Sequence, residues 1–139
     1  MMRSKSVSER AATMNKEFLF STEELEKVKE KIVSAAGLAK RAGKCVMGTE
    51  MCVENIRNEK AKLVIAASDL SKNTIKRLTD SCSFHNIELL FLGFDKMELG
   101  KRLGKNNGTS CAAILDDGFV NICRKIYSEV HTENTEVQQ

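Results

Sequence analysis

Three basic side chains, Lys40, Arg41 and Lys44, fall within "GLAKRAGKCVMGTEM" (residues 37–51) among three glycines, and no acidic residue occurs between Lys31 and Thr49. One-signed charge on a glycine-punctuated elbow suits phosphate: lysine and arginine neutralise it without reading sequence, and glycine lets backbone approach closely. Gly48 and Thr49 follow at once, with Glu50 behind them. A helix opening there would present unpaired N–H groups and a partial positive charge, which also suit an anion. A second polar, glycine-bearing stretch, "LGKNNGTS", carries Lys105, Asn106 and Asn107.

Other chemistries find little support. The five cysteines, Cys45, Cys52, Cys82, Cys111 and Cys123, are odd in number and widely spaced, and they sit mostly among apolar residues. They read as small buried hydrophobes. No C-x-x-C or H-x-x-x-H spacing offers a metal site, and none is expected. Cys82 and His85 in "SCSFHNIEL" are close enough for a nucleophile and base, but the segment reads as a helix end followed by a turn. There is no G-x-G-x-x-G after a strand and no G-x-x-x-x-G-K-[ST]. No enzyme and no cofactor are expected.

The chain has 139 residues, 42% of them hydrophobic and 29% charged, with a net charge of +3. That is one globular domain with a real core. No apolar run approaches the roughly 18 to 20 residues that span a bilayer. The start, "MMRSKSVSERAATMNKEF", has no apolar core with a small-residue cleavage site and reads as a disordered arm, so the expected location is the cytoplasm. The net charge is too mild to argue for nucleic acid, and its distribution matters more. Three clusters are basic and locally free of acid: Lys40, Arg41 and Lys44; Lys72, Lys76 and Arg77; Lys101, Arg102 and Lys105. Each alone would be a solvated face. The second is set aside, because Asp80 continues its face with the opposite sign.

The elements that must position these residues alternate. Phe20-Ser21-Thr22-Glu23-Glu24-Leu25 is a capping box with flanking apolar residues, opening a helix whose inward positions are Leu25, Val28, Ile32, Ala35 and Ala39. "CVM" is a short strand. A helix from Gly48 and Thr49 turns Cys52, Val53 and Ile56 inward and Glu50, Glu54 and Arg57 to water. "KLVIAA" has the composition of a strand covered on both faces. Ser71 caps a helix with Ile75, Leu78 and Cys82 inward. Asp69, just before it, reads as the strand-end residue that turns the chain. "IELLFLG" is a further buried strand, and Asp95 to Glu98 a second cap, opening a short helix that runs toward Gly104. "SCAAIL" is the last strand, and Phe119, Ile122, Cys123, Ile126, Tyr127 and Val130 form the stripe of the last helix. The pattern predicts an α/β fold, a three-layer α/β/α sandwich around a mixed sheet of about four strands. Residues 1–20 are assigned to the arm, 21–130 to one domain and 131–139 to a polar tail.

"GLAKRAGK" followed by "GTE", then "RNEKAKLVIAASDLSKNT", "LG...LGK", "AAI" and "DDGF", resembles in order and spacing the family of large-subunit ribosomal proteins seven-Ae and thirty-e, specifically its small bacterial YlxQ-type members. The resemblance covers about residues 25–128. It implies an α/β/α sandwich and a non-enzymatic protein that binds structured RNA, usually a kink-turn with tandem sheared G·A pairs. It also implies that the second helix presents its N-terminus to RNA, flanked by the elbow and by the loop before the last strand. The expected RNA-binding residues are therefore Lys40, Arg41, Lys44, Gly48, Thr49, Glu50, Lys105, Asn106 and Asn107. The expected partner is structured RNA; ribosomal RNA or the ribosome, a riboswitch-like leader and another noncoding RNA are equally open. No DNA and no membrane are expected, and the protein reads as a monomer. Where the archaeal and eukaryotic pattern has Asn-Glu after Gly-Thr and a Lys three residues on, this chain has Glu50, Met51 and Glu54. An amide both donates and accepts, whereas an ionised carboxylate only accepts. A protein-interaction adaptor on the ribosome, with the acidic positions of the second helix meeting a basic partner, is the first alternative, and a small nucleotide-binding enzyme domain the second.

Overall fold

A computed structural model describes residues 22–138, with the side chains of 23–126 and 128. The arm over 1–20, the Phe20 and Ser21 half of the first cap, and the side chains of Tyr127 and Val130 lie outside the described residues. Nine elements follow in order: α1 (Thr22–Arg41), β1 (Cys45–Met47), α2 (Thr49–Arg57), β2 (Leu63–Ala66), α3 (Lys72–Phe84), β3 (Glu88–Phe91), α4 (Lys96–Arg102), β4 (Cys111–Ile114) and α5 (Asp117–Gln138).

The sheet has the order β1-β4-β2-β3. β4 runs antiparallel between β1 and β2, and β2 and β3 are parallel. β1, β2 and β3 therefore all point one way, and their carboxyl ends share one edge of the sheet. Along β2, Leu63 and Ile65 join the core under α1, α4 and α5, while Val64 and Ala66 join the core under α2 and α3. β4 divides likewise, Ala112 and Ile114 against Cys111 and Ala113. Period-two alternation between two apolar layers is what a strand covered on both faces requires. The three-layer sandwich expected from the sequence is the fold observed.

Several details differ. β3 is an edge strand, not an interior one, and its Glu88 is exposed beside Arg124 of α5. On α1, Val33, Ala36 and Gly37 are buried beside the expected positions, because α4 and α5 both pack on that helix. On α5, Val120 is fully buried while Ile122 is 47% exposed. α5 presents only a narrow face to the core, and Val120 and Cys123, three residues apart, define it. α5 also continues to Gln138.

The helix that carries the loop before β4 is anchored hard. Arg102 of α4 donates from Nε to Glu98 Oε2 at 2.6 Å and from Nη2 to Glu30 Oε2 of α1 at 2.7 Å, with Nη1 on Glu30 Oε1 as well. Its guanidinium also lies 5.1 Å from the Phe94 ring centroid. These hydrogen bonds hold the Glu30 carboxyl below its ordinary value and raise Arg102 further. Arg102 is thus an internal clamp and leaves the third basic cluster.

Candidate nucleic-acid interface

Three helices begin at the carboxyl edge of the sheet, the edge where open α/β sheets place ligands. Two are capped as the sequence predicts: Ser71 Oγ accepts from the Thr74 N–H at 3.2 Å, and Asp95 Oδ1 from the Glu98 N–H at 2.8 Å. α2 is different. Its N-cap is Gly48, at φ 96°, which supplies no side-chain acceptor. Gly48 donates its N–H to the Cys111 carbonyl at 2.9 Å, and the first turn closes from the Cys52 N–H to the Gly48 carbonyl. The N–H groups between them have no intrahelical acceptor, and a Cβ on Gly48 would meet nothing within 4 Å. The positive φ demands glycine, and the space beside it stays open.

Thr49 Oγ1 and Ser110 Oγ share a hydrogen bond at 2.7 Å, tying the start of α2 to the segment before β4. That segment is folded tightly on α4. Lys105 N–H donates to the Gly100 carbonyl at 2.7 Å, Gly108 N–H to the Lys105 carbonyl at 3.1 Å, and Thr109 N–H to the Lys96 carbonyl at 3.0 Å. Thr109 is buried, with its hydroxyl on the Cys111 carbonyl at 2.9 Å. Lys105, Asn106 and Asn107 are left exposed at the turn, and Met97 lies against Gly108 with much of its thioether in water. Asp69 Oδ1 accepts from the Lys96 N–H at 2.9 Å, fastening the β2 loop to α4, a contact its place at the strand end did not show.

The nine expected residues are not one patch. Gly48, Thr49 and Glu50 stand at the carboxyl edge, joined to the loop of Lys105, Asn106 and Asn107 through Ser110. Lys40, Arg41 and Lys44 stand at the other end of β1, where the Lys44 carbonyl accepts from Leu115 N–H at 2.8 Å. Four residue-to-residue steps of extended chain, about 13 Å, separate Lys44 from Gly48. Asp116 and Asp117, where α5 opens, follow Leu115 directly in the chain. The elbow and the helix start thus lie at the two ends of edge strand β1.

Sequence grounds set Arg77 aside, yet it reaches the site. It donates from Nη1 to Glu50 Oε2 at 2.7 Å and from Nη2 to Glu50 Oε1 at 3.2 Å. That hydrogen bonding and the adjacent charge hold the Glu50 carboxyl below its ordinary value. A pair 27 residues apart leaves no local trace. Lys76 pairs with Asp80 at 2.7 Å, as a wet helix face would.

All five cysteines are free and buried. Burial pushes Cys45 and Cys123 up to about 11 and Cys82 up to about 12, and Cys52, hydrogen-bonded to Cys111 and walled in by the core, is also pushed up. Among the described residues no group of three or more His, Cys, Asp or Glu could hold a metal ion, and no helix is long and apolar enough to cross a membrane.

Residues 30–124, from the middle of α1 through the elbow, the α2 start and the β4 loop into α5, match the ribosomal protein L7Ae/L30e/S12e/Gadd45 family. The chain belongs to this family. It is 38% identical over 91 residues to the RNA-binding protein YlxQ of Enterococcus faecium, covering 66% of this chain and 85% of that one. It is also 38% identical over 88 residues to the RNA-binding protein YlxQ of Bacillus subtilis (strain 168), covering 61% and 83%. Among solved structures, a protein of unknown function from Bacillus halodurans C superposes with a TM-score of 0.64 at 31% identity, over 70% of this chain and 97% of that one. The family is of ribosomal and RNA-binding type and is non-enzymatic, and its bacterial YlxQ branch is where this chain belongs.

Proposed function

We propose that this protein binds structured RNA at the carboxyl edge of its sheet, with the uncapped start of α2 as the centre of the site. The observation that carries this is the Gly48 helix start, held open beside the Thr49–Ser110 hydrogen bond and overlooked by the anchored turn at Lys105, Asn106 and Asn107. Unpaired N–H groups receive a phosphate, and RNA recognition typically targets irregular places with unstacked bases rather than a regular duplex. The YlxQ relatives, named as RNA-binding proteins, support the same reading.

The elbow serves the same RNA at longer range. A backbone running beside β1 from Gly48 would reach Lys44, Lys40 and Arg41 after about 13 Å, roughly two phosphates further on, and these cations add affinity without sequence preference. A kinked RNA, with one stem at the α2 start and its continuation along β1, fits that spacing. Ribosomal RNA is the partner class the family favours, met by a monomer in the cytoplasm.

The test is a titration against a kink-turn RNA and a control whose sheared G·A pairs are replaced by Watson–Crick pairs. Tighter binding to the kink-turn is expected. Equal affinity for both would leave a general RNA binder, and no binding to either would favour the adaptor reading.

A further inference from the structure

Glu50 carries the wrong sign for the place it occupies. It lies in the first turn of α2, where the proposed site expects phosphate, and its side chain is 82% exposed. It is not bare, because both its oxygens are taken by Arg77 of α3 in a fork-to-fork bridge. Arg77 is itself 45% exposed, so the bridge knits no core. The rest of its neighbourhood competes little: Lys76 is turned onto Asp80, Glu54 has no ion pair among the described residues, and Arg57 of α2 adds a weaker attraction that would remain in Arg77→Gln.

Resting on the RNA-binding reading above, we propose that Arg77 is a specificity-determining positioning residue: its bidentate bridge pins Glu50 and cancels its charge, so that RNA meets a neutral pair at the α2 start and not an anion. A guanidinium has five N–H groups in one plane, and two are used here. The remaining N–H groups of Arg77 and the free lone pairs of Glu50 stand side by side on a planar, bidentate frame. The pair thus offers a donor and an acceptor together, the two functions an amide side chain combines. A lysine at position 77 could supply the charge but not the fork.

Glu50→Gln, Arg77→Gln and the double variant close a cycle, read with the kink-turn RNA and its Watson–Crick control over a salt series. Arg77→Gln alone should weaken binding to the kink-turn by about three- to tenfold, because it uncovers a carboxylate among phosphates. In the Glu50→Gln background the same change should cost less than about twofold. Arg77→Lys should recover part of the affinity but not the preference over the control. Carboxyl NMR titration of Glu50 supplies a readout independent of RNA: its pKa should rise in Arg77→Gln toward the ordinary value. An equal loss from Arg77→Gln in both backgrounds would make Arg77 a plain phosphate ligand and overturn the proposal. No loss in either background, or an unmoved Glu50 titration, would overturn it too. If the native protein binds neither RNA, the functional reading itself fails, an outcome distinct from binding without coupling.

Discussion

Gly100→Ala is the substitution that couples the fold to the site most directly. Gly100 sits inside α4, where alanine is ordinarily better by about 1 kcal/mol. Here an added Cβ would fall 2.5 Å from Gly108 Cα and 2.5 Å from the Lys105 carbonyl oxygen, with Gly108 C at 2.8 Å. All three are backbone atoms, so no flexible side-chain end can move aside. Restoring ordinary packing distances requires the 105–108 turn to retreat by roughly 1 Å, which strains the hydrogen bonds from Lys105 to Gly100 and from Thr109 to Lys96. Overpacking of this kind costs about 1 to 3 kcal/mol, and each strained hydrogen bond adds about 0.5 to 1.5 kcal/mol. After the helix-propensity gain, a net loss of about 1 to 5 kcal/mol remains. For a domain of this size that lowers Tm by roughly 4 to 20 °C. The displaced turn would carry Ser110 away from Thr49, so RNA affinity should also fall at temperatures where the variant is fully folded. Thermal unfolding, with a binding titration well below the unfolding transition, measures both. Gly104→Ala is the control, since Gly104 has a positive φ that alanine adopts only with strain, while a Cβ there meets nothing within 4 Å; it should lose stability without losing RNA. A Gly100→Ala protein as stable as the native one would refute the close approach of α4 to the turn.

Three further outcomes are expected. Replacing Lys40, Arg41 and Lys44 together by alanine should weaken RNA binding and flatten its salt dependence by a slope of roughly 0.7 to 0.9 for each phosphate no longer neutralised, and an unchanged slope in a folded variant would place the RNA backbone elsewhere on the surface. Glu30, held by Arg102 below its ordinary value of 4.5, contributes stability that is present above that value and lost as pH falls through its lower folded pKa; Glu30→Gln should therefore cost more at neutral pH than in acid below that folded pKa, as read by denaturant titrations. In mildly alkaline buffer a thiol reagent should label the native protein slowly and all five cysteines rapidly once it unfolds, because Cys45, Cys52, Cys82 and Cys123 are buried with raised pKa values; rapid native labelling of any of these four would contradict the packing.

The layers are legible in the sequence because each element announces itself locally. Ser71 and Asp95 cap the helices they precede, and the apolar run at Leu63 is buried on both faces. What spacing does not show is long-range. Glu50 and Arg77 meet only because α2 and α3 lie side by side, and Arg102 is lost to the surface only because α4 packs on Glu30. The elbow and the helix start look like neighbours because a short stretch of sequence holds both. A three-residue strand between them, fully extended, sets them at opposite ends of the sheet. The sequence misplaces Ile122 for a related reason: a helical stripe shows which residues are apolar, not how wide a face the rest of the protein will cover.

The strand order has a consequence in time. β4 is the last strand in the chain and the one that joins β1 to β2, since those two meet only through it. During synthesis at about 5 to 20 residues per second, β1, α2 and β2 emerge well before the segment that must slide between them. Until then Gly48 lacks its Cys111 acceptor and Thr49 its Ser110 partner. On the site proposed above, the α2 start is therefore complete only once β4 is in place, and a chain truncated before Ser110 would lack both contacts that hold it.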